Sequence, residues 1–236
     1  MKTTYHPADS RGSADHGWLQ ARHSFSFAEY YNPERIHFGV LRVLNDDIID
    51  PGKGFGMHPH NDMEIITIPL HGSLEHKDNM GNGSVITAGE VQVMSAGIGI
   101  MHSEFNPSAE DDTKLFQIWI FPDKKGITPR YDQKVFDQSS YKNSIVKLVD
   151  NEEEGDSLFI HQKAAISMSR PDAGIRLSYK NHYPANGVYI MLVEGKVTID
   201  GNTLGRRDAL GVWDTEEFSI LAEEDSFILF IEVPMN

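Results

Sequence analysis

An all-β chain of two tandem domains is predicted by three features of the sequence. Short runs rich in Val, Ile, Phe and Thr are cut at close intervals by 20 glycines and 11 prolines. Few segments keep a 3.6-residue apolar period for three turns, so the pattern is that of strands. A strand–turn–strand unit also recurs about 120 residues further on, as expected of two similar domains in tandem.

In chain order, the strand candidates of the first half are 38–44, 64–70, 91–95 and 115–121. They are rich in apolar and β-branched residues, as strands are. The run 115–121 carries one amide, Gln117, which needs a partner if buried. Between 122 and 156 the pattern weakens. Pro122, Gly126, Pro129 and the acidic run 152–156 read as an irregular connector with a solvated turn. The second half offers 188–193, 196–200, 209–213, 218–222 and 227–233. The repeat pairs Ile68 to His76 with Ile190 to Thr198, turning at Gly72 and Gly195. We divide the chain into an N-terminal domain, 1–135, and a connector with a C-terminal domain, 136–236.

Composition excludes several classes of function. There is no cysteine, so disulfides, thiol nucleophiles, iron–sulfur clusters and thiolate zinc sites are absent. Any metal must be held by nitrogen and oxygen. Lys and Arg number 21 and Asp and Glu 35, a formal charge of −14, which opposes direct binding to nucleic acid or an anionic membrane. No run of about 18 apolar residues suggests a membrane span, and Met1 to Pro7 lacks the apolar segment of a signal peptide. A cytoplasmic location is expected.

The chemistry concentrates in two pairs, His58-Pro59-His60 and His102-Ser103-Glu104. Residues i and i+2 of a strand share a face, so each pair can converge on one ion. The donors suit Fe(II), Mn, Co, Ni, Cu or Zn. About 0.5 His-x-His triplets are expected by chance at this histidine content, so spacing alone leaves ordinary surface or core histidines open.

Context adds to the spacing. Gly52, Gly72, Gly89, Gly99 and Asn106 stand around these pairs much as in the two-part cupin pattern. The pattern's first glutamate would fall at Ile65, with Glu64 one place off, so the carboxylate would have to come from Glu104. That departure resembles the pirin family. So do the strings His23 to Pro33, Leu41 to Asp47, Gly54 to His60, Met94 to Glu104 and Gln117 to Ile120. The resemblance is closest over 10–135. It implies a bicupin, two tandem jelly-roll β-barrel or sandwich domains. It also implies an N-terminal metal site of His58, His60, His102 and Glu104, with one divalent ion, Fe(II) first among the candidates.

The resemblance further implies a quercetin 2,3-dioxygenase, cleaving a flavonol with O2 and releasing carbon monoxide, with Glu104 as catalytic base. The substrate partners would be a flavonoid-like small molecule and O2. A redox-sensing or regulatory metal module acting through a protein partner is the second reading, and a zinc isomerase or hydrolase the third.

Other residues are read more plainly. His16, Trp18, His23, Phe25, Phe27, Tyr30 and Tyr31 are expected to staple an N-terminal arm to the barrel. Asn45-Asp46-Asp47 reads as a turn, and His76 and Asp78 as the end of a strand outside the site. Ile100 and Met101 are candidates for an apolar wall. The C-terminal domain offers His182 near its first-motif position and 220–223 near its second, without paired ligands. It is expected to be metal-free.

Overall fold

The computed structural model describes residues 1–236 and is built of strands, with 3-10 turns at Ala8–Ser10 and Gln138–Tyr141. The strands form four sheets. A seven-stranded sheet runs, from edge to edge, Arg130–Val135, Glu90–Ser95, Glu64–His71, Thr113–Ile120, Leu41–Ile49, Leu19–His23 and Gly12–Asp15. The four-stranded sheet Gly54–His60, Ile100–Phe105, Ser73–Asp78 and Gly83–Thr87 completes the N-terminal sandwich.

The second sandwich repeats this plan. Its large sheet runs Lys2–His6, Ala209–Trp213, Asn186–Glu194, Phe227–Pro234, Ala165–Ser169, Val146–Asp150 and Leu158–Phe159. Its small sheet runs Arg176–Lys180, Glu217–Ala222, Val197–Ile199 and Asn202–Leu204. The fold class is the bicupin expected from the sequence.

Side-chain alternation explains why the central strands are apolar at nearly every position. On Thr113–Ile120, Phe116, Ile118 and Ile120 join a 28-residue buried cluster, while Leu115, Gln117 and Trp119 face into the N-terminal sandwich. On Asn186–Glu194, Tyr189, Met191 and Val193 enter the same cluster. Val188, Ile190 and Leu192 instead fill the C-terminal interior. The two large sheets therefore pack back to back through one shared core.

Two regions depart from the sequence reading. The stretch 122–156 is not wholly irregular, since Arg130–Val135 pairs with Glu90–Ser95 and Val146–Asp150 enters the C-terminal sheet. Arg130–Val135 is an edge strand of Arg, Tyr, Asp, Gln, Lys and Val, half exposed, so no apolar run announces it. Lys2–His6 lies outside the N-terminal sheet. It pairs antiparallel with Ala209–Trp213 and closes an edge of the C-terminal sheet.

Phe116 is fully buried in the shared core. Phe116→Ala is expected to cost about 3–5 kcal/mol. Urea denaturation followed by fluorescence checks this, with both halves lost in one transition because the core belongs to both.

Candidate metal centre

The site forms where three strands of the small sheet run side by side. Gly54–His60 pairs with Ile100–Phe105 so that His58 stands opposite His102, and His60 opposite Ile100. On its other side Ile100–Phe105 meets Ser73–Asp78, with Asp78 opposite His102 and His76 opposite Glu104. The register shifts between His102 and Glu104, where Phe55 rather than Gly56 comes opposite Glu104. That bulge re-aims the strand. Phe55 and His58 are three residues apart, yet both line one cavity.

Turn glycines bring these hairpins together. Gly72 links Glu64–His71 to Ser73–Asp78 at φ 71°, and Gly99 leads into Ile100–Phe105 at φ 136°. Both values belong to the region that glycine enters without penalty. Asn106 holds the far end, its amide donating to the carbonyls of Ile49 and Asp111 at 3.1 and 2.8 Å.

His58, His60 and His102 each offer a ring nitrogen, and these atoms lie within 4.8 Å of one another. Their ring centroids are 4.4 to 4.9 Å apart. Glu104 forms a second group of the same tightness with His102 and His76. Both groups lie between residues 58 and 104.

The hydrogen bonds fix which nitrogens are free. His58 donates from Nδ1 to the carbonyl of Gly56 at 2.8 Å, which leaves a lone pair on Nε2. His76 Nε2 lies 3.2 Å from Asp78 Oδ2, an acceptor only, so Nε2 carries the proton. His76 Nδ1 lies 3.4 Å from His102 Nδ1. His102 Nε2 is buried and has no hydrogen-bond partner. Burial, reinforced by His58 and His60, pushes the His102 pKa down to about 2, so the ring is neutral. His60 is lowered to about 4, by burial and then by His58. A carboxylate–histidine–histidine chain behind a buried, unpartnered ring nitrogen is the arrangement that orients a metal ligand. The donor set fits a divalent transition ion.

Glu104 is almost fully buried, and burial raises its pKa. Gln117 opposes this by donating from Nε2 to both carboxylate oxygens at 3.0 and 3.2 Å. Thr67 in turn donates to Gln117 Oε1 at 3.0 Å, which fixes the orientation of the amide.

A cavity of about 450 Å³ opens beside the histidines, within the range of small-molecule sites. Trp18, Leu19, Ala21, Phe27, Phe55 and Trp119 form its apolar walls. His23, Asn45, Asp47, Glu104 and Gln117 supply polar groups. Trp119 meets His60 edge to face at 4.9 Å, and Phe27 meets Trp119 at 5.3 Å.

Several sequence expectations change here. Asn45-Asp46-Asp47 is no turn but lies within Leu41–Ile49, where Asn45 and Asp47 face the cavity and Asp46 the opposite side. The aspartates hid the strand because their burial rests on tertiary neighbours. His76 and Asp78 belong to the site through His102, and Trp18, His23 and Phe27 line the cavity. Phe25 instead packs on Tyr189 across the shared core, and Tyr31 is exposed. Ile100 packs with Ile65 and Met94, while Met101 points outward, so neither walls the cavity. Glu64 turns away from the histidines and accepts from Ser95 Oγ at 2.7 Å. In the C-terminal sandwich the strand matching Gly54–His60 is Arg176–Lys180, so the equivalent residues lie near Leu177 and Tyr179 and not at His182.

Asp47 Oδ1 is buried without a partner. Burial first, then Asp46 and Glu104, pushes its pKa up to about 8. A carboxyl raised on folding binds more protons folded than unfolded, so its contribution to stability falls as pH rises from the ordinary aspartate range to about 8. Asp47→Asn removes that loss. The variant is expected to melt higher than wild type at pH 8, with the gap closing toward pH 4, in differential scanning fluorimetry of metal-free protein.

Comparisons with known proteins give the chain its family. Residues 5–120 match the Pirin family, and 148–233 match the quercetinase C-terminal cupin domain. The chain is 45% identical over 229 residues to a quercetin 2,3-dioxygenase of Escherichia coli K12, covering 96% of each chain. It is 41% identical to a pirin-like protein of Caulobacter vibrioides, over 96% of this chain and 97% of the other. The crystal structure of the bacterial pirin YhhW from Escherichia coli, in complex with nickel(II), superimposes with a TM-score of 0.93 at 41% identity, covering all of both chains. On sequence and fold together, this chain belongs to the pirin family.

Proposed function

We propose that the chain is a metal-dependent dioxygenase that cleaves a flavonol such as quercetin with O2, releasing carbon monoxide. The observation that carries the reading is the cluster of three histidines, with the buried, unpartnered Nε2 of His102, at the edge of an aromatic cavity that also holds a buried carboxylate. The names of the relatives support the substrate class, and the nickel complex of YhhW supports metal binding.

In this reading His58, His60, His102 and Glu104 hold one divalent ion, Fe(II) first, with Mn, Co, Ni, Cu or Zn as alternatives. When bound, the ion would supply Lewis acidity toward adjacent hydroxyl and keto oxygens and redox capacity toward O2. The chain's own residues do the rest. The walls of Trp18, Phe55 and Trp119 take a flat aromatic ring and exclude water. Glu104 takes the proton of the flavonol hydroxyl, and Gln117 holds the carboxylate in place for that transfer. Asp47, protonated, donates a hydrogen bond to an oxygen of the substrate.

Metal analysis is expected to give one ion per chain, and none in the His58→Ala/His60→Ala double variant. His76→Ala keeps all four ligands but removes the partner of His102, so its metal affinity is expected to fall about 10- to 100-fold. Competition with a chelator measures this; unchanged affinity would deny His76 its part.

The activity test is oxygen uptake and carbon monoxide release by the Fe(II)-loaded protein with quercetin. Glu104→Gln is expected to keep metal, more weakly held, while turnover falls about 10²-fold or more. Near-normal turnover with full metal would refute the base. Absence of turnover in wild type with each of the candidate metals would favour a regulatory module.

A further inference from the structure

Leu41–Ile49 has a second face. While Asp47 enters the metal cavity, Asp46 points into a separate cavity of about 190 Å³ at the seam between the N-terminal sheet and the turn before Ala209–Trp213. Arg11, Arg22, Lys114, Arg206 and Arg207 surround Asp46 there. In a chain with a net charge of −14, five cations around one carboxylate run against the overall balance.

The ion pairs inside the cluster do not use up its charge. Asp46 Oδ2 receives Arg11 Nη1 at 3.1 Å and Arg207 Nε at 3.3 Å. Arg206 Nε pairs with Glu194 Oε2 at 2.7 Å. Five cations against these two carboxylates leave three positive charges over. Arg22 and Lys114 are exposed and have no side-chain partner, whereas the Arg11 side chain is only 7% exposed. Arg207 stacks over the Phe116 ring at 5.1 Å from its centroid, and its Nη1 is buried with no hydrogen-bond partner. A buried guanidinium N–H left unmade is costly, and an anionic oxygen is the partner that would satisfy it.

We propose that this interdomain cavity binds a small phosphate-bearing anion, with Arg207 at its base and Arg22 and Lys114 at its rim. A dianion matches the surplus of charge better than a single carboxylate does. Guanidinium groups meet phosphate oxygens through paired, charge-assisted hydrogen bonds. The site is separate from the metal centre and independent of its proposed chemistry.

The test titrates the purified full chain with inorganic phosphate, following melting temperature and heat of binding, against sodium chloride of matched ionic strength. Glycerol 3-phosphate and acetate are parallel arms. Saturable stabilisation by both phosphates is expected, with acetate weaker. Arg22→Gln/Lys114→Gln is expected to lose about tenfold in affinity while melting like wild type without ligand, since neither side chain has a partner to lose. His58→Ala/His60→Ala is expected to bind phosphate as wild type does, which separates this site from an ion-held phosphate. The proposal is overturned if phosphate acts no differently from chloride, if the Arg22/Lys114 variant binds undiminished, or if the histidine variant abolishes binding. Acetate binding as tightly as phosphate would overturn the phosphate assignment.

Discussion

The alternation of side chains along the central strands of the large N-terminal sheet is the constraint on which the rest of the molecule depends. One face of these strands is committed to the core shared with the second sandwich, through Leu44, Ile66, Phe116 and Ile118. The other face has no choice but to look inward. Its occupants, Asn45, Asp47, Thr67, Gln117 and Trp119, are therefore delivered to the interior by the same packing that joins the two halves. The small sheet then needs only to bring its histidines to meet them.

The two sandwiches share a topology and differ in what fills them. In the C-terminal one, Leu177, Tyr179, Phe218, Ile220 and Phe230 interlock into a continuous apolar interior. In the N-terminal one the corresponding strands of the small sheet carry His58, His60, His102 and Glu104. Its apolar residues split into small groups at either side of the cavity. A hollow, polar interior costs stability, and the shared core is what offsets it. The second sandwich is in this sense the ballast of the first.

Much of this was legible in the sequence, for physical reasons that can be named. The i, i+2 spacing of His58 with His60 and of His102 with Glu104 fixed which side chains share a face, whatever the fold around them. Central strands were visible because burial on both faces demands continuous apolar runs. Arg130–Val135 and Lys2–His6 were not, because edge strands with an exposed face carry mixed polar sequences. His76 and Asp78 were passed over because their role is set by the ladder beside His102, a partner 24 to 26 residues away. Asp47 was read as a turn residue because nothing local says that a strand has been laid under it.

The placement of Lys2–His6 bears on how the C-terminal sheet closes. Its pairing partner is Ala209–Trp213, and Tyr5 donates to Asp208, 203 residues further along the chain. His6 Nδ1 meets Tyr189 Oη at 2.9 Å within the same sheet. Lys2–His6 thus meets its partner only when a loop of about 200 residues has closed. Until it folds back, Ala209–Trp213 presents an open edge able to accept a strand from another chain. Pairing across so long a loop forms slowly, so this one edge is where the folding chain is most open to a strand from a neighbour.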